Sequence, residues 1–366
     1  MKELLFITNI PSPYRVSFFN EFGKYVNLTV VFEKDRSEER DKSWENYRFE
    51  NFTGIIMRGM RVSKNTALCT EVCQHIILKK WDHIVVCDFS TPTGMLAMEF
   101  MIRKKIPYWI EGDGAFPGSK NGPKAKIKTH FIRNAKGLFS TSKGHDLYYL
   151  MYGASDSKIY RYPFSSLKAG DILKDVPSAD EKKALRKELG IVEEQVVIAV
   201  GQFIPRKGFD ILLAAAAQLS RSIGFYFIGG SATEEYQEIQ AKCHLTNAHF
   251  IAFKKKSELY KFYKAADVFA FPTREDIWGL VVNEAMACGL PVVSTQRCGA
   301  ALELVKNGEN GYIIPVDNVA EMKDKIEKTL STPTVSSKMG KRSLEIIEAY
   351  TIEKMVQRHR EILVDA

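Results

Sequence analysis

Asp276 and Glu284 stand eight positions apart in the segment Asp276-Ile-Trp-Gly-Leu-Val-Val-Asn-Glu284-Ala-Met-Ala-Cys-Gly-Leu-Pro-Val-Val293. After Gly279, apolar Leu280, Val281, Ala285 and Cys288 recur at helical spacing, until Gly289-Leu-Pro291 stops the pattern and Val292 starts a strand. The spacing predicts Glu284 inside a helix and Asp276 in the loop before it. Backbone N–H groups at Gly279, Leu280 and Val281 then lack intrahelical partners, and the helix dipole favours an anion at that end. A diphosphate fits there. A carboxylate accepts two hydrogen bonds from a vicinal diol, so Glu284 can hold a ribose while Asp276 holds sugar hydroxyls. The plain alternative is a buried amphipathic helix behind a solvated acidic loop.

A second segment, Val200-Gly-Gln-Phe-Ile-Pro-Arg-Lys-Gly208, follows the apolar run Val196 to Val200 and precedes Ile211, Leu212, Ala215 and Leu219 at helical spacing. This reads as strand, glycine turn and helix. Gly201 allows close backbone approach. Lys207 supplies a point charge and Arg206 a forked one, the kind that neutralises a departing diphosphate. Arg-Lys pairs in loops are commonly only solvated; the order and separation of the two segments make them informative.

The stretch Thr273 to Val293 resembles the E-x7-E signature of family 4 glycosyltransferases, and Val200 to Gly208 is similar to a second element of that family. The resemblance implies an α/β protein of the GT-B fold, two doubly wound Rossmann-like domains facing a central cleft. It also implies a reaction that retains anomeric configuration, with a nucleoside-diphosphate sugar as substrate and no cofactor. Two positions depart from the usual pattern. Asp276 stands where the family has Glu, with Glu275 next to it, and Gln202 stands where the family has Arg, a charge that Arg206 would replace. The implied donor site comprises Gly201, Gln202, Arg206, Lys207, Gly279, Leu280, Val281 and Glu284. Phe253 joins it because the loop around Ile251-Ala-Phe253 is similar to the family's base-contacting turn.

On the acceptor side, Asn9-Ile-Pro-Ser-Pro-Tyr-Arg15 follows the first strand, where many relatives have a glycine-rich loop. Ser12, Tyr14 and Arg15 are its candidates; Arg15 would meet an acceptor or donor phosphate, with a helix-start arginine on the surface as the slightly preferred alternative. Glu111-Gly-Asp113-Gly lies at the C-terminal edge of another strand, and its glycines are expected to leave both carboxylates uncovered. Either can orient the acceptor hydroxyl or accept its proton; a plain turn is an equal alternative. The catalytic candidates are thus Glu111, Asp113 and, at the sugar, Asp276. Asp276 and Glu284 are not read as the carboxyl pair of a retaining glycosidase, about 5–5.5 Å apart.

The 366 residues, 45% hydrophobic and 26% charged, suit two globular domains with sizeable cores. We place an acceptor-binding domain at 1–164, joined by a C-terminal helix at 351–366, and a nucleotide-sugar domain at 165–350. The Pro163 to Pro177 stretch reads as the linker. After it Ser178 reads as an N-cap with Glu181 three later and Gly190 as the stop, and Ser257 reads as the cap of a helix from Glu258. Strands expected at 4–8, 28–32, 84–87, 106–110, 138–140 and 159–162, then at 196–200, 225–228, 249–253, 268–271, 292–294 and 312–314, alternate with helices, which argues parallel sheets. Residues 33 to 60 give no clear pattern.

Net charge is +8, and from Gly114 to His145 there is no acidic residue while seven Lys and Arg occur. Ile127 and Phe131, four apart, would form an apolar ridge on a basic helix carrying Lys124, Lys128 and Arg133, able to lie on an anionic membrane surface. A nucleic-acid patch lacks any accompanying motif. No apolar run approaches the roughly 20 residues of a membrane span, and the start reads as a strand rather than a signal peptide, so the expected location is cytoplasmic, with peripheral contact on the inner face of the cell membrane. The six cysteines form no CxxC pair; Cys69, Cys73 and His75 read as a helix face, and no metal is expected.

The leading expectation is transfer of a sugar, from a UDP-sugar by preference, to a glycan or lipid-linked acceptor in bacterial surface polysaccharide synthesis. The alternatives are a sugar phosphorylase of the same fold and an inactive nucleotide-sugar-binding subunit.

Overall fold

The computed structural model describes residues 1–35, 47–64, 66–87 and 89–365. The chain divides into two compact units, residues 1–166 with 351–366 and residues 167–350. The division after Ser166 falls inside the stretch read as a linker.

In chain order the first unit contains β1 (Glu3–Thr8), α1 (Pro13–Phe22), β2 (Asn27–Phe32), β3 (Thr53–Ile56), β4 (Met60–Arg61), β5 (Ala67–Leu68) and α2 (Val72–Ile77). It continues with β6 (His83–Val86), α3 (Pro92–Lys104), β7 (Trp109–Glu111), α4 (Pro123–Asn134), β8 (Gly137–Ser140), α5 (Lys143–Met151) and β9 (Ile159–Arg161). Seven strands form one parallel sheet in the order β3-β2-β1-β6-β7-β8-β9, while β4 and β5 pair antiparallel. Parallel strands are covered on both faces, which is why they read as unbroken apolar runs. In β1, Leu4, Leu5, Phe6 and Ile7 are at most 1% exposed, and each such burial stabilises by about 1.5–3 kcal/mol. The stretch 33–60, which had no clear pattern, contains β3 and the start of β4; residues 36–46 within it lie outside the described residues.

The second unit contains α6 (Ala179–Leu189), β10 (Gln195–Val200), α7 (Phe209–Ala216), β11 (Ile223–Ile228), α8 (Glu234–Lys242), β12 (Ala248–Ile251) and α9 (Lys256–Ala265). There follow β13 (Val268–Phe271), α10 (Leu280–Ala287), β14 (Val292–Thr295), α11 (Gly299–Leu304), β15 (Gly311–Ile314), α12 (Val319–Leu330) and α13 (Pro333–Ile347). Its six strands are parallel in the order β12-β11-β10-β13-β14-β15. α6 begins with the expected capping box: Ser178 Oγ accepts from Glu181 N, Glu181 Oε2 accepts from Ser178 N, and Gly190 ends the helix at φ +70°. Ser257, by contrast, is not a cap. Lys255 takes the extended N-cap conformation and α9 starts at Lys256, so Ser257 already lies in the first turn.

α14 (Ile352–Leu363) belongs to the first unit. Its buried Ile352, Met355, Val356, His359, Ile362 and Leu363 follow helical spacing. The His359 ring meets Phe18 and Phe22 of α1 at 4.8 and 6.1 Å between centroids.

Strand order reverses between β1 and β6 in the first sheet and between β10 and β13 in the second. Ligands of doubly wound sheets bind beyond the C-terminal strand ends at such points.

Candidate functional site

At the reversal point of the second sheet, the loops after β10 and β13 leave side by side. The first makes a short turn at Pro205–Lys207 and enters α7 through Gly208, whose φ is +68°. A Cβ on Gly208 would lie 2.1 Å from the Pro272 carbonyl oxygen, so only glycine lets the two loops close on each other. Lys207 is buried, and its Nζ donates to Asp276 Oδ2 at 2.6 Å and lies 5.0 Å from the centre of the Phe271 ring. Arg206 Nη1 donates to the Glu275 carbonyl at 2.6 Å and stands 3.8 Å from the same Asp276 oxygen. Two cations thus converge on one carboxylate.

Gly279, at φ +96°, opens α10 with no side-chain cap. A Cβ there would sit 2.9 Å from Cys298 Sγ, which again requires glycine. The Asp276 backbone is held on both sides: its N–H donates to the Arg297 carbonyl at 2.8 Å and its carbonyl accepts from Gly299 N at 3.1 Å. Trp278, buried, donates from Nε1 to Asn283 Oδ1 at 2.9 Å, fixing the loop to α10. Half-buried Glu284 accepts from Tyr263 Oη at 3.4 Å. Burial first, and then Glu284, push the Tyr263 phenol well above its ordinary pKa, so it stays a donor. Gly201 and Gln202 are half-buried at the end of β10, and Phe253 is exposed beyond the end of β12, at the same edge of the sheet.

Arg274 is one residue whose part the sequence alone does not disclose. Its guanidinium donates to Asp210 at 2.6 and 2.9 Å, to Asp317 at 2.7 Å and to the Pro205 carbonyl at 2.6 Å, while its own N–H meets the Arg206 carbonyl at 2.8 Å. It clamps the Lys207 loop to the Asp276 loop. Its only signal was its place inside the motif, since its carboxylate partners lie 64 and 43 residues away along the chain.

At the C-terminal edge of the first sheet the structure corrects three expectations. Arg15 is buried, not at the surface: Nη1 donates to Glu111 Oε1 at 2.6 Å and Nη2 to Asp113 Oδ1 at 3.0 Å. Glu111 is fully buried rather than uncovered by its neighbouring glycines, because Arg15 and α14 close over it. Burial alone would raise the Glu111 pKa; Arg15, with His359, outweighs it and holds the carboxyl far below its usual range. Glu111 is therefore an anchor for Arg15, not a proton acceptor. Asp113 remains partly exposed and accepts from Tyr14 Oη at 2.6 Å, whereas Ser12 is buried at the start of α1 with no side-chain cap bond. His359 was also missed. Its Nδ1 donates to the Met355 carbonyl at 2.8 Å, its Nε2 stands 3.7 Å from Glu111 Oε1, and its ring stacks on Phe139 at 4.4 Å.

The expected apolar ridge on α4 does not exist. Phe131 is buried, packing into the unit's core with Ala125 and Ile132, and its carbonyl accepts from Tyr108 Oη at 2.6 Å. Lys128 is half-buried with Nζ about 5 Å over the Tyr148 and Tyr152 rings (5.0 and 5.1 Å). Lys124, Lys126, Ile127 and Arg133 are exposed. Among the described residues no helix is long and apolar enough to cross a membrane, and no group of three or more His, Cys, Asp or Glu is placed to hold a metal ion.

Residues 181–345 match the family model described as glycosyl transferases group 1. The chain is 31% identical over 177 residues to the GDP-mannose-dependent alpha-(1-6)-phosphatidylinositol monomannoside mannosyltransferase of Mycolicibacterium smegmatis, a match covering 45% of this chain and 46% of that protein. The chain spans about half the length of the curated relatives it matches. Its fold is similar to that of Anabaena HepE in complex with UDP and glucose (TM-score 0.76, 16% identity, 100% of both chains). It is likewise similar to WaaG, a glycosyltransferase involved in lipopolysaccharide biosynthesis (TM-score 0.68, 15% identity, 99% of this chain and 100% of that one). The fold is thus the two-Rossmann GT-B architecture.

Proposed function

We propose that this chain, whose residues 181–345 match the family model described as glycosyl transferases group 1, moves a sugar from a nucleoside-diphosphate sugar to a glycan or lipid-linked acceptor. The observation that carries this reading is the convergence of Lys207, Arg206, Asp276 and the uncapped start of α10 at the β10/β13 reversal. Around the start of α10, Lys207, Arg206 and the helix N-terminus outweigh the one carboxylate they share, Asp276, and a diphosphate supplies an anion for them. A UDP-sugar is the favoured donor; the UDP-bound neighbour is in keeping with that.

In the proposed reaction an acceptor hydroxyl oxygen bonds to the anomeric carbon as the bond from that carbon to the diphosphate oxygen breaks. The acceptor enters on the face from which the diphosphate leaves, so configuration is retained, and the hydroxyl proton passes to the departing phosphate. Negative charge grows on that phosphate, where Lys207, Arg206 and the N–H groups of Gly279 to Val281 stabilise it. Glu284 holds the ribose and Asp276 the sugar hydroxyls. Asp113, fixed by Tyr14 and Arg15, orients the acceptor hydroxyl. The exposed basic face of α4 fits an anionic membrane surface, in keeping with a lipid-linked acceptor in surface polysaccharide synthesis.

Thermal unfolding against a panel of nucleoside diphosphates and nucleotide sugars tests the donor. A ligand at 100 times its Kd adds about 2.7 kcal/mol of stability. Stabilisation by one nucleotide class that disappears in Glu284→Ala is expected; stabilisation by none would transfer the case to a phosphorylase or an inactive subunit.

A further inference from the structure

We infer that Asp276 makes this site prefer a diphosphate carrying a sugar over a bare one, because it loses Lys207 to the phosphates and regains a partner only from sugar hydroxyls. The inference rests on the donor reading above. The side chains of Lys207 and Asp276 are 11% and 15% exposed, and the ammonium donates to the carboxylate at 2.6 Å. In such surroundings a charge that loses its partner is costly, whereas one that exchanges partners is not.

A diphosphate entering at the start of α10 draws the ammonium toward itself. Asp276 cannot follow, because its backbone is tied to the Arg297 carbonyl and Gly299 N–H on either side. Arg206, held by the Glu275 carbonyl at 2.6 Å, stays 3.8 Å from the carboxylate and replaces the ammonium's hydrogen bond only in part. Under a bare diphosphate, Asp276 is therefore left as a like charge beside the phosphate oxygens. When a sugar is attached, its hydroxyls donate to the freed carboxylate and the pocket is satisfied again. The site then holds its donor more tightly than the nucleoside diphosphate left after transfer, which speeds release of that product.

Calorimetric titration with UDP, UDP-glucose, GDP and GDP-mannose, on wild type, Asp276→Asn, Lys207→Met and the double variant, tests this. Asp276→Asn is expected to bind the bare diphosphate about five- to tenfold more tightly while binding the sugar nucleotide no better, and most of that gain should vanish in the Lys207→Met background. Asp276→Asn weakening both ligand types alike, or a gain of equal size without Lys207, overturns the inference while leaving the donor reading intact. Wild type binding none of the four overturns the donor reading and this inference with it. Should Asp276→Asn fail to fold, judged by its circular dichroism, Asp276→Ser carries the same comparison.

Discussion

Each unit ends its central strands in a cluster of cations and carboxylates, and the two clusters are built to opposite ends. In the first unit Arg15 meets two carboxylates, Glu111 and Asp113, and Glu111 is wholly buried under α14. The balance there is negative, and the Arg15–Glu111 pair is closed off inside the unit. In the second unit Arg206 and Lys207 share the single carboxylate of Asp276 at the end of an uncapped helix, so the balance is left positive. A negative cluster closed over its own arginine fixes a loop; a positive one at a helix N-terminus suits an anionic ligand. The sign of the imbalance, more than the presence of charged residues near a strand end, separates scaffold from site.

The strongest way to break that comparison is to remove the buried member of the first cluster. Glu111→Ala leaves Arg15 with only the partly exposed Asp113, and the urea midpoint should report a loss of about 3–5 kcal/mol; a loss below about 1 kcal/mol would make this pair no more structural than a surface one. In the second cluster, Lys207→Ala should act on chemistry instead, lowering kcat for sugar transfer by about 10²–10³-fold in a protein that still folds. An unchanged kcat would remove Lys207 from the reaction. Acid titration sharpens the contrast further. Burial holds the pKa of His145 in the first unit down to about 3 from 6.5. Unfolded chains therefore take up a proton that the folded unit refuses, and stability should fall as pH drops from about 6.5 toward 3. His145→Phe should flatten that limb, as followed by urea midpoints across the pH range. Glu111 acts in a lower window: its contribution is complete above its ordinary value of 4.5 and is lost progressively as pH falls from there through its depressed folded value. The smallest effect should come from a site far from either cluster. Ser178→Ala removes half of the capping box of α6 and should cost about 1 kcal/mol of stability, with nucleotide affinity unchanged.

What the sequence disclosed and what it withheld follow a physical line. The α6 cap was legible because its donors and acceptors lie within four residues, from Ser178 to Glu181. The paired loops around Lys207 and Asp276 were legible because each carries its own glycine, turn and helix start. Arg15 was misread because its partner Glu111 is 96 positions away and nothing near Arg15 announces burial. Phe131 was misplaced for a related reason: periodicity puts it beside Ile127, and only the core of the unit, built from distant stretches of chain, decides that one is covered and the other is not. Local hydrogen bonding is written locally, whereas the fate of a buried charge depends on chain met much later.

That delay has a consequence in time for α14. The aromatic face of α1, with Phe18 and Phe22, is covered by a helix that leaves the ribosome roughly 330 residues later, about 15–65 s at typical elongation rates. Throughout that interval the first sheet can form while its most aromatic helix and the Glu111 carboxylate lack their final cover. The first unit therefore completes its cover only after the whole second unit has been made.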